Sequence, residues 1–182
     1  MRAHAINAHL YSGRGAVFNH STTSLGIMDG RRYRGSTMKS LVAEDDATNR
    51  KLLQTFLLRY GQCDIAVDGE EAVNAVRLAR QNKQSYDLVC MDLRMPKMDG
   101  QVAIREIRKQ EVISGALKPI KIIVTTAHTD SEDIAGALLA KCNAYLVKPI
   151  DIAKLRRELM VFGLIECMHS GNPILPFAFE LC

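Results

Sequence analysis

The chain has 182 residues, of which 47% are hydrophobic and 24% are charged, and its net charge is +4. This length suits one domain with tails, and the sequence holds no run of about 18 apolar residues that would predict a membrane helix. Residues 1–37 carry the excess positive charge as five Arg and one Asp, since residues 38–166 hold 19 basic and 18 acidic residues. The globular part is therefore nearly neutral, and direct binding of nucleic acid is not expected.

From Lys39 onward, short apolar runs alternate with segments whose apolar residues recur every three or four positions. The runs predict five strands, at residues 40–44, 64–67, 87–91, 120–125 and 144–147. The periodic segments predict five helices, at residues 47–60, 69–81, 101–109, 132–140 and 152–162, with Asp46 as N-cap of the first. Repeated strand–helix units predict an α/β fold with a doubly wound, five-stranded parallel sheet and helices on both faces. The expected strand order is the flavodoxin-like 2-1-3-4-5.

Both ends of the chain lack this periodicity. Residues 1–37 are rich in Ser, Gly, Asn and Arg, and we predict a disordered or non-native leader with Met38 as the natural start. An Arg-rich, acid-poor leader is also compatible with a transit peptide. Residues 167–182 contain two prolines and no pattern, which predicts an irregular C-terminal tail. The predicted domain therefore spans residues 38–166.

Cysteine usage and the amino terminus bear on the compartment. The five cysteines include no Cys-x-x-Cys pair, and the amino terminus lacks the continuous apolar run of a secretory signal. An odd number of cysteines is typical of a reducing compartment, so we expect a cytoplasmic protein. Cys90 lies inside a predicted strand and is expected to be a small buried hydrophobe.

Chemically distinctive residues end four of the five predicted strands: the acid pair Glu44-Asp45, then Asp92, then a threonine pair, then Lys148. The carboxyl ends of parallel strands meet at one edge of an open sheet, where ligands bind. We therefore expect carboxylates, a hydroxyl and an ammonium group to share one crevice. Three carboxylates near one point repel one another, and a hard divalent cation such as Mg²⁺ would relieve that repulsion.

These residues occur in the order and spacing of a known family. The acid pair, the Asp of Met91-Asp92-Leu93-Arg94-Met95-Pro96, the pair Thr126-Ala127 and the pair Lys148-Pro149 resemble the motifs of response regulator receiver domains. The resemblance covers residues 38–166 and is to single-domain receivers of the chemotaxis-regulator type. It implies a two-component signalling module that accepts a phosphoryl group and switches conformation.

The resemblance also assigns roles to individual residues. It implies that Asp92 is the phosphoacceptor, that Thr126 and Lys148 contact the phosphoryl group, and that Thr126 and Tyr145 form the switch. Mg²⁺ would be held by Glu44, Asp45, Asp92 and the main-chain carbonyl of Arg94. Arg94 and His128 would tune the lifetime of the phosphoryl group, and the Lys148–Pro149 bond is expected to be cis.

The receiver interpretation has two alternatives, a phosphatase and a flavin-binding protein. On the receiver interpretation the chain is not an enzyme beyond its own phosphorylation and dephosphorylation. Its expected partners are a histidine kinase or histidine phosphotransfer protein and an unknown downstream protein, with no membrane insertion. The alternative is an aspartate-nucleophile phosphatase of the haloacid dehalogenase-like type, which needs a second acid where this chain has Arg94. A flavin-binding protein of the same topology would need a phosphate-binding loop where Glu44-Asp45-Asp46 stand.

Overall fold

The computed structural model describes residues 38–127, 136 and 140–166, and the backbone of residues 168–169 and 172–173. One sheet contains the strands β1 (Met38–Ala43), β2 (Gly61–Ala66), β3 (Leu88–Asp92), β4 (Lys121–Thr126) and β5 (Ala144–Val147). The helices of the described part are α1 (Ala47–Leu57), α2 (Gly69–Gln81), α3 (Gly100–Ile113) and α4 (Ile152–Val161). Two-residue strands β6 (Met168–His169) and β7 (Asn172–Pro173) pair antiparallel with each other. The predicted leader, most of the predicted tail and most of the helix predicted at residues 132–140 lie outside the described residues.

The five-stranded sheet is parallel, with strand order β2-β1-β3-β4-β5. This confirms the predicted α/β class and the flavodoxin-like order. The two strands that carry acids at their carboxyl ends, β1 and β3, are neighbours at the centre of the sheet. The order of the chain reverses between these strands, which is where ligands bind in open α/β sheets.

Two apolar layers cover the opposite faces of the sheet. Strand residues of one parity pack with α2 and α3, as Leu41 and Met91 do, and residues of the other parity pack with α1 and α4, as Val42 and Cys90 do. All five residues of β3 are buried. Sheets covered on both faces have strands that are apolar throughout, which is why the strands appear in the sequence as continuous runs. The prediction that Cys90 is buried is confirmed.

An aspartate caps the start of each of the four described helices. Each cap has an extended backbone, and its carboxylate accepts a hydrogen bond from an amide in the first turn; the caps are Asp46, Asp68, Asp99 and Asp151. Such caps satisfy amides that have no partner within the helix. Because every helix follows a strand, all four caps lie at the carboxyl edge of the sheet.

The observed boundaries depart from the predicted ones by a few residues. The first helix ends at Leu57 rather than at residue 60, and the third extends to Ile113 rather than to residue 109. Among the described residues, no helix is long and apolar enough to cross a membrane.

Candidate functional site

Three carboxylates converge where β1 and β3 end. Glu44 directly follows β1, Asp45 follows Glu44, and Asp92 is the last residue of β3. One oxygen from each carboxylate lies within 4.8 Å of the others. Glu44 is fully buried and Asp92 is 4% exposed, whereas Asp45 is exposed. The expected cluster of acids is therefore present, with two members inside the protein and one at its surface.

Lys148 pairs with both buried acids. Its Nζ donates to Glu44 Oε1 and to Asp92 Oδ2, each at 2.7 Å. The side chain is held there by the main chain, because the Lys148 amide donates to the Thr126 carbonyl at 2.7 Å. The Lys148–Pro149 bond is cis, as predicted. An ammonium group thus lies between the carboxylates of two neighbouring strands.

The charges of this cluster depend on one another. Burial raises the pKa of Glu44, the hydrogen bond from Lys148 opposes that rise, and the negative charge of Asp92 adds to it. Burial also disfavours the charged form of Lys148, but its hydrogen bonds to Asp92 and Glu44 outweigh that effect and raise the pKa of Lys148. The charged form of Lys148 is therefore favoured in this position.

The donor set fits a hard divalent cation. Carboxylate oxygens are the ligands that Mg²⁺ prefers, and it is bound by few protein carboxylates while it keeps several waters. Glu44 Oε2 is buried and has no hydrogen-bond partner in the described part of the chain. A buried carboxylate oxygen of this kind requires a partner, and a cation beside Glu44 and Asp45 would supply one.

The two threonines at the end of β4 are both buried. The register of the sheet places Thr125, not Thr126, directly opposite Asp92. Thr125 Oγ1 has no hydrogen-bond partner among the described residues, whereas Thr126 does make a polar interaction. The assignment of the phosphoryl-contacting hydroxyl to Thr126 therefore stays a prediction, with Thr125 as the alternative.

The loop between β3 and α3 folds back onto the candidate phosphoacceptor. The Arg94 amide donates to Asp92 Oδ1 at 3.3 Å, and the Gly100 amide donates to the Leu93 carbonyl at 2.9 Å. A Cβ on Gly100 would lie 2.0 Å from the Asp92 carbonyl oxygen, so only glycine fits at the neck of this loop. Arg94 is thus near Asp92 through its main chain, which is the part assigned to metal binding.

Of the two remaining predicted residues, Tyr145 lies in a described strand and His128 lies outside the described residues. Tyr145 in β5 is 44% exposed, and it precedes Lys148 by three residues. The role of Tyr145 in the switch stays a prediction. His128 lies outside the described residues, so its predicted effect on phosphoryl lifetime stays a prediction.

Two further residues, which were not predicted from the sequence, hold the acid pair. The Asn49 side-chain amide lies 3.4 Å from Glu44 Oε1, and Arg50 Nη1 donates to the main-chain carbonyls of Glu44 and Asp45 at 2.7 and 3.0 Å. Both residues are in the first turn and a half of α1. The only feature of the sequence that indicates this contact is their position about one helical turn after the acids. Polar residues on a helix surface are common, so this position alone does not predict a contact.

Comparison with known families decides the identity of the domain. The model of the family described as response regulator receiver domain matches residues 41–160. The chain belongs to this family. Receiver domains are signalling modules of two-component systems rather than classical enzymes.

Individual relatives support the same assignment. The response regulator mcs4 of Schizosaccharomyces pombe is 29% identical over 155 residues, which cover 72% of this chain and 29% of mcs4. The chain therefore spans less than a third of that relative. The receiver domain of Ssk1 from Saccharomyces cerevisiae, crystallised with the histidine phosphotransfer protein Ypd1, is 30% identical with a TM-score of 0.62; the match covers 70% of this chain and 89% of that one.

A third relative was solved with a metal. The receiver domain of the sensor histidine kinase PA1611 from Pseudomonas aeruginosa, with a magnesium ion in its active-site cleft, is 32% identical with a TM-score of 0.58. This match covers 69% of the chain and 96% of the PA1611 domain.

Proposed function

We propose that this receiver domain accepts a phosphoryl group on Asp92 from a histidine kinase or a histidine phosphotransfer protein. The observation that carries the proposal is the position of Asp92, which ends the central strand within 2.7 Å of Lys148 and beside two further acids. A carboxylate can act as a nucleophile toward phosphorus and form a covalent intermediate. The complex of the Ssk1 receiver with Ypd1 supports a phosphotransfer protein as the donor.

The reaction is an exchange of one bond to phosphorus for another. An Asp92 carboxylate oxygen forms a bond to phosphorus while the bond from phosphorus to the donor histidine nitrogen breaks. The electron pair of that bond stays on the nitrogen, and the imidazole is left neutral or takes a proton from water. Such a transfer depends mainly on in-line placement and on neutralising the charge of the phosphoryl oxygens.

Residues around Asp92 would supply that neutralisation. Lys148 already lies against Asp92 and would pair with a phosphoryl oxygen, and the Thr126 hydroxyl would donate to another. Glu44, Asp45, Asp92 and the Arg94 carbonyl would hold Mg²⁺, which supplies positive charge to the phosphoryl oxygens when it is bound. The haloacid dehalogenase-like alternative has no such support, since Arg94 occupies the position of its second acid.

The output of the domain would be a change of conformation. Movement of Thr126 toward the phosphoryl group would alter the environment of Tyr145, which would bias an existing equilibrium between two states. Arg94 and His128 each lie two residues after a residue that would contact the phosphoryl group, and they would set how fast water removes that group. The phosphorylated state would then bind a downstream protein, and we place this signalling in the cytoplasm.

Phosphorylation by a small donor tests the proposal. Incubation of the protein with acetyl phosphate and Mg²⁺ should add one phosphoryl group, measured by intact-mass spectrometry. The Asp92→Asn variant should take up none. A matched control is Asp87→Asn at the opposite edge of the sheet, where the native carboxylate accepts a hydrogen bond from the Lys39 amide. Equal labelling of the Asp92→Asn and wild-type proteins would refute the assignment.

A further inference from the structure

An ion pair joins two loops at the edge of the candidate site. Lys97, in the loop between β3 and α3, donates from Nζ to Asp68 Oδ2 at 2.6 Å. Asp68 is 1% exposed and lies in the loop between β2 and α2. Its other oxygen, Oδ1, accepts the Glu71 amide at 2.8 Å as the N-cap of α2. One buried carboxylate therefore starts a helix and holds the neighbouring loop.

The backbone around this ion pair is shaped to permit it. The backbone of Lys97 has a φ of 61°, a left-handed conformation that residues other than glycine rarely adopt. Beside it, the Gly69 amide donates to the Met98 carbonyl at 3.2 Å. A Cβ on Gly69 would lie 2.5 Å from that carbonyl oxygen, so the two loops approach as closely as glycine allows. The left-handed backbone of Lys97, the Gly69–Met98 hydrogen bond and the lack of a side chain at Gly69 thus allow the two loops to approach. We call the ion pair between them the Lys97–Asp68 clamp.

The clamp acts on a loop that touches Asp92. The loop is closed at its neck by the hydrogen bond from Gly100 to Leu93, and the Arg94 amide reaches Asp92 Oδ1. Between these points, residues 94–99 contact the rest of the molecule through the clamp, through the Gly69–Met98 hydrogen bond, and through Met95 and Met98, which pack against the apolar layer on the α2 and α3 face. The clamp is the contact that fixes the tip of the loop by charge, and the position of the Arg94 main chain relative to Asp92 depends in part on it.

We propose that Lys97 and Asp68 are positioning residues, which hold the β3–α3 loop so that the Arg94 main chain is placed for metal binding and phosphoryl transfer at Asp92. Neither residue touches the reacting atoms. The proposal rests on the proposed function of Asp92 and identifies what fixes the loop of that site. Residues that orient metal ligands typically change metal affinity by about 10–100-fold when they are substituted.

Two single variants and their combination test the clamp. Lys97→Met removes the ammonium group, and Asp68→Asn removes the carboxylate while it keeps an equally good N-cap. Each should weaken Mg²⁺ binding by about tenfold, measured by calorimetric titration of the full chain, because the loop is less well positioned. The double variant should be no weaker than either single variant, since both remove the same contact.

The controls separate positioning from a general loss of stability. Lys118→Met breaks an exposed ion pair with Asp87, 3.1 Å long, at the opposite edge of the sheet, and should leave Mg²⁺ affinity unchanged. Lys97→Arg, which keeps the charge, should recover most of the affinity. A merely structural role would lower the melting temperature without changing the dissociation constant for Mg²⁺.

The outcomes distinguish this proposal from the one on which it rests. If Lys97→Met binds Mg²⁺ with the affinity of the wild type, the clamp does not position the metal site, whether or not Asp92 is phosphorylated. The same loss of affinity in Lys118→Met also overturns the proposal, because the effect would not be specific to the loop. Failure of acetyl phosphate to label the wild-type protein refutes phosphoryl transfer, while the Mg²⁺ titrations still decide whether the clamp positions the metal site.

Discussion

Lys148 is the one ammonium group paired with the buried acids of the candidate site in the described part of the chain. It donates at 2.7 Å to both Glu44 and Asp92, and the side chains of those acids are 0% and 6% exposed. Removing one partner from a buried ion pair leaves an uncompensated charge, which costs far more than the pair contributes. In this site, a single ammonium group serves two such acids, so its loss affects both at once.

The Lys148→Met variant should therefore be about 3–5 kcal/mol less stable than the wild type at pH 7 without metal. Unpaired buried carboxylates have raised pKa values, so the folded state then binds more protons than the unfolded state. The deficit should shrink as the pH is lowered toward about 5. Urea unfolding at several pH values measures it.

Magnesium provides an independent check on the same variant. Because Mg²⁺ binds the folded site, it should stabilise Lys148→Met more than it stabilises the wild type. Lys154→Met removes an exposed lysine of α4 and should behave as the wild type does. A stability of Lys148→Met that is independent of both pH and Mg²⁺ would show that Lys148 does not compensate these acids.

The wild-type lysine also gives stability a pH dependence of its own. The pKa of Lys148 is raised in the folded protein, so the folded state holds this proton more tightly than the unfolded state does. The contribution is complete below the unfolded pKa and is lost as the pH rises through the folded one. Glu44 acts in the same direction at lower pH, since its raised pKa means that its contribution to stability is lost as the pH rises through and above the ordinary carboxyl range.

At the scale of the secondary structure elements, periodicity predicts the order of the described strands and helices but not the positions of their ends. The bounds of α2 and of β5 match the predicted ranges, because Gly69 and the short apolar run at 144–147 are sharp local signals. The third helix continues four residues beyond the prediction, to Ile113, whose side chain is 76% exposed. An exposed apolar residue gives no periodic signal, so this end was not visible in the sequence.

Contacts between loops could not be predicted from any local sequence pattern. Asp92 and the acid pair could be predicted together because strand ends of a parallel sheet share an edge. The Lys97–Asp68 contact joins residues 29 positions apart, and it depends on how two loops cross. Arg50 was likewise missed, because its guanidinium binds main-chain carbonyls, which every residue has.

The start of α3 is tied to β3 by a close approach of two backbones. An alanine at position 100 would place its Cβ 2.0 Å from the Asp92 carbonyl oxygen, and neither backbone can move without displacing the loop. Gly100→Ala should therefore cost about 3 kcal/mol and reduce labelling of Asp92, in spite of the higher helix propensity of alanine. Denaturant unfolding and acetyl phosphate labelling measure the two effects.

Gly115→Ala is the matched control for this substitution. Gly115 has a φ of 61° with no atom within 4 Å of an added Cβ, so the variant should lose only about 1 kcal/mol, from its left-handed conformation. Its labelling should equal that of the wild type. If Gly100→Ala and Gly115→Ala behave alike, the close approach has no special importance.

At the scale of the whole molecule, the two apolar layers define how much of the chain the domain needs. The family model ends at residue 160, but the layer on the α1 and α4 face includes Ile165, which is 8% exposed, and has Phe162 and Leu164 packed against it. At the other end, Met38 is 4% exposed and belongs to the same layer. This apolar layer therefore extends beyond the matched segment on both sides, and the domain range of 38–166 stays a prediction.

A truncated protein spanning residues 38–166 should fold and accept a phosphoryl group as the full chain does. Shortening it further to residues 38–160 should lower its free energy of unfolding by at least about 2 kcal/mol, because the burial of Ile165 and its neighbours is lost. Urea unfolding of the three proteins, monitored by circular dichroism, makes the comparison. Equal stability of the two truncated proteins would show that residues 161–166 add nothing to the layer. Aggregation of the 38–166 protein would show that residues 1–37 or 167–182 cover apolar surface in the full chain.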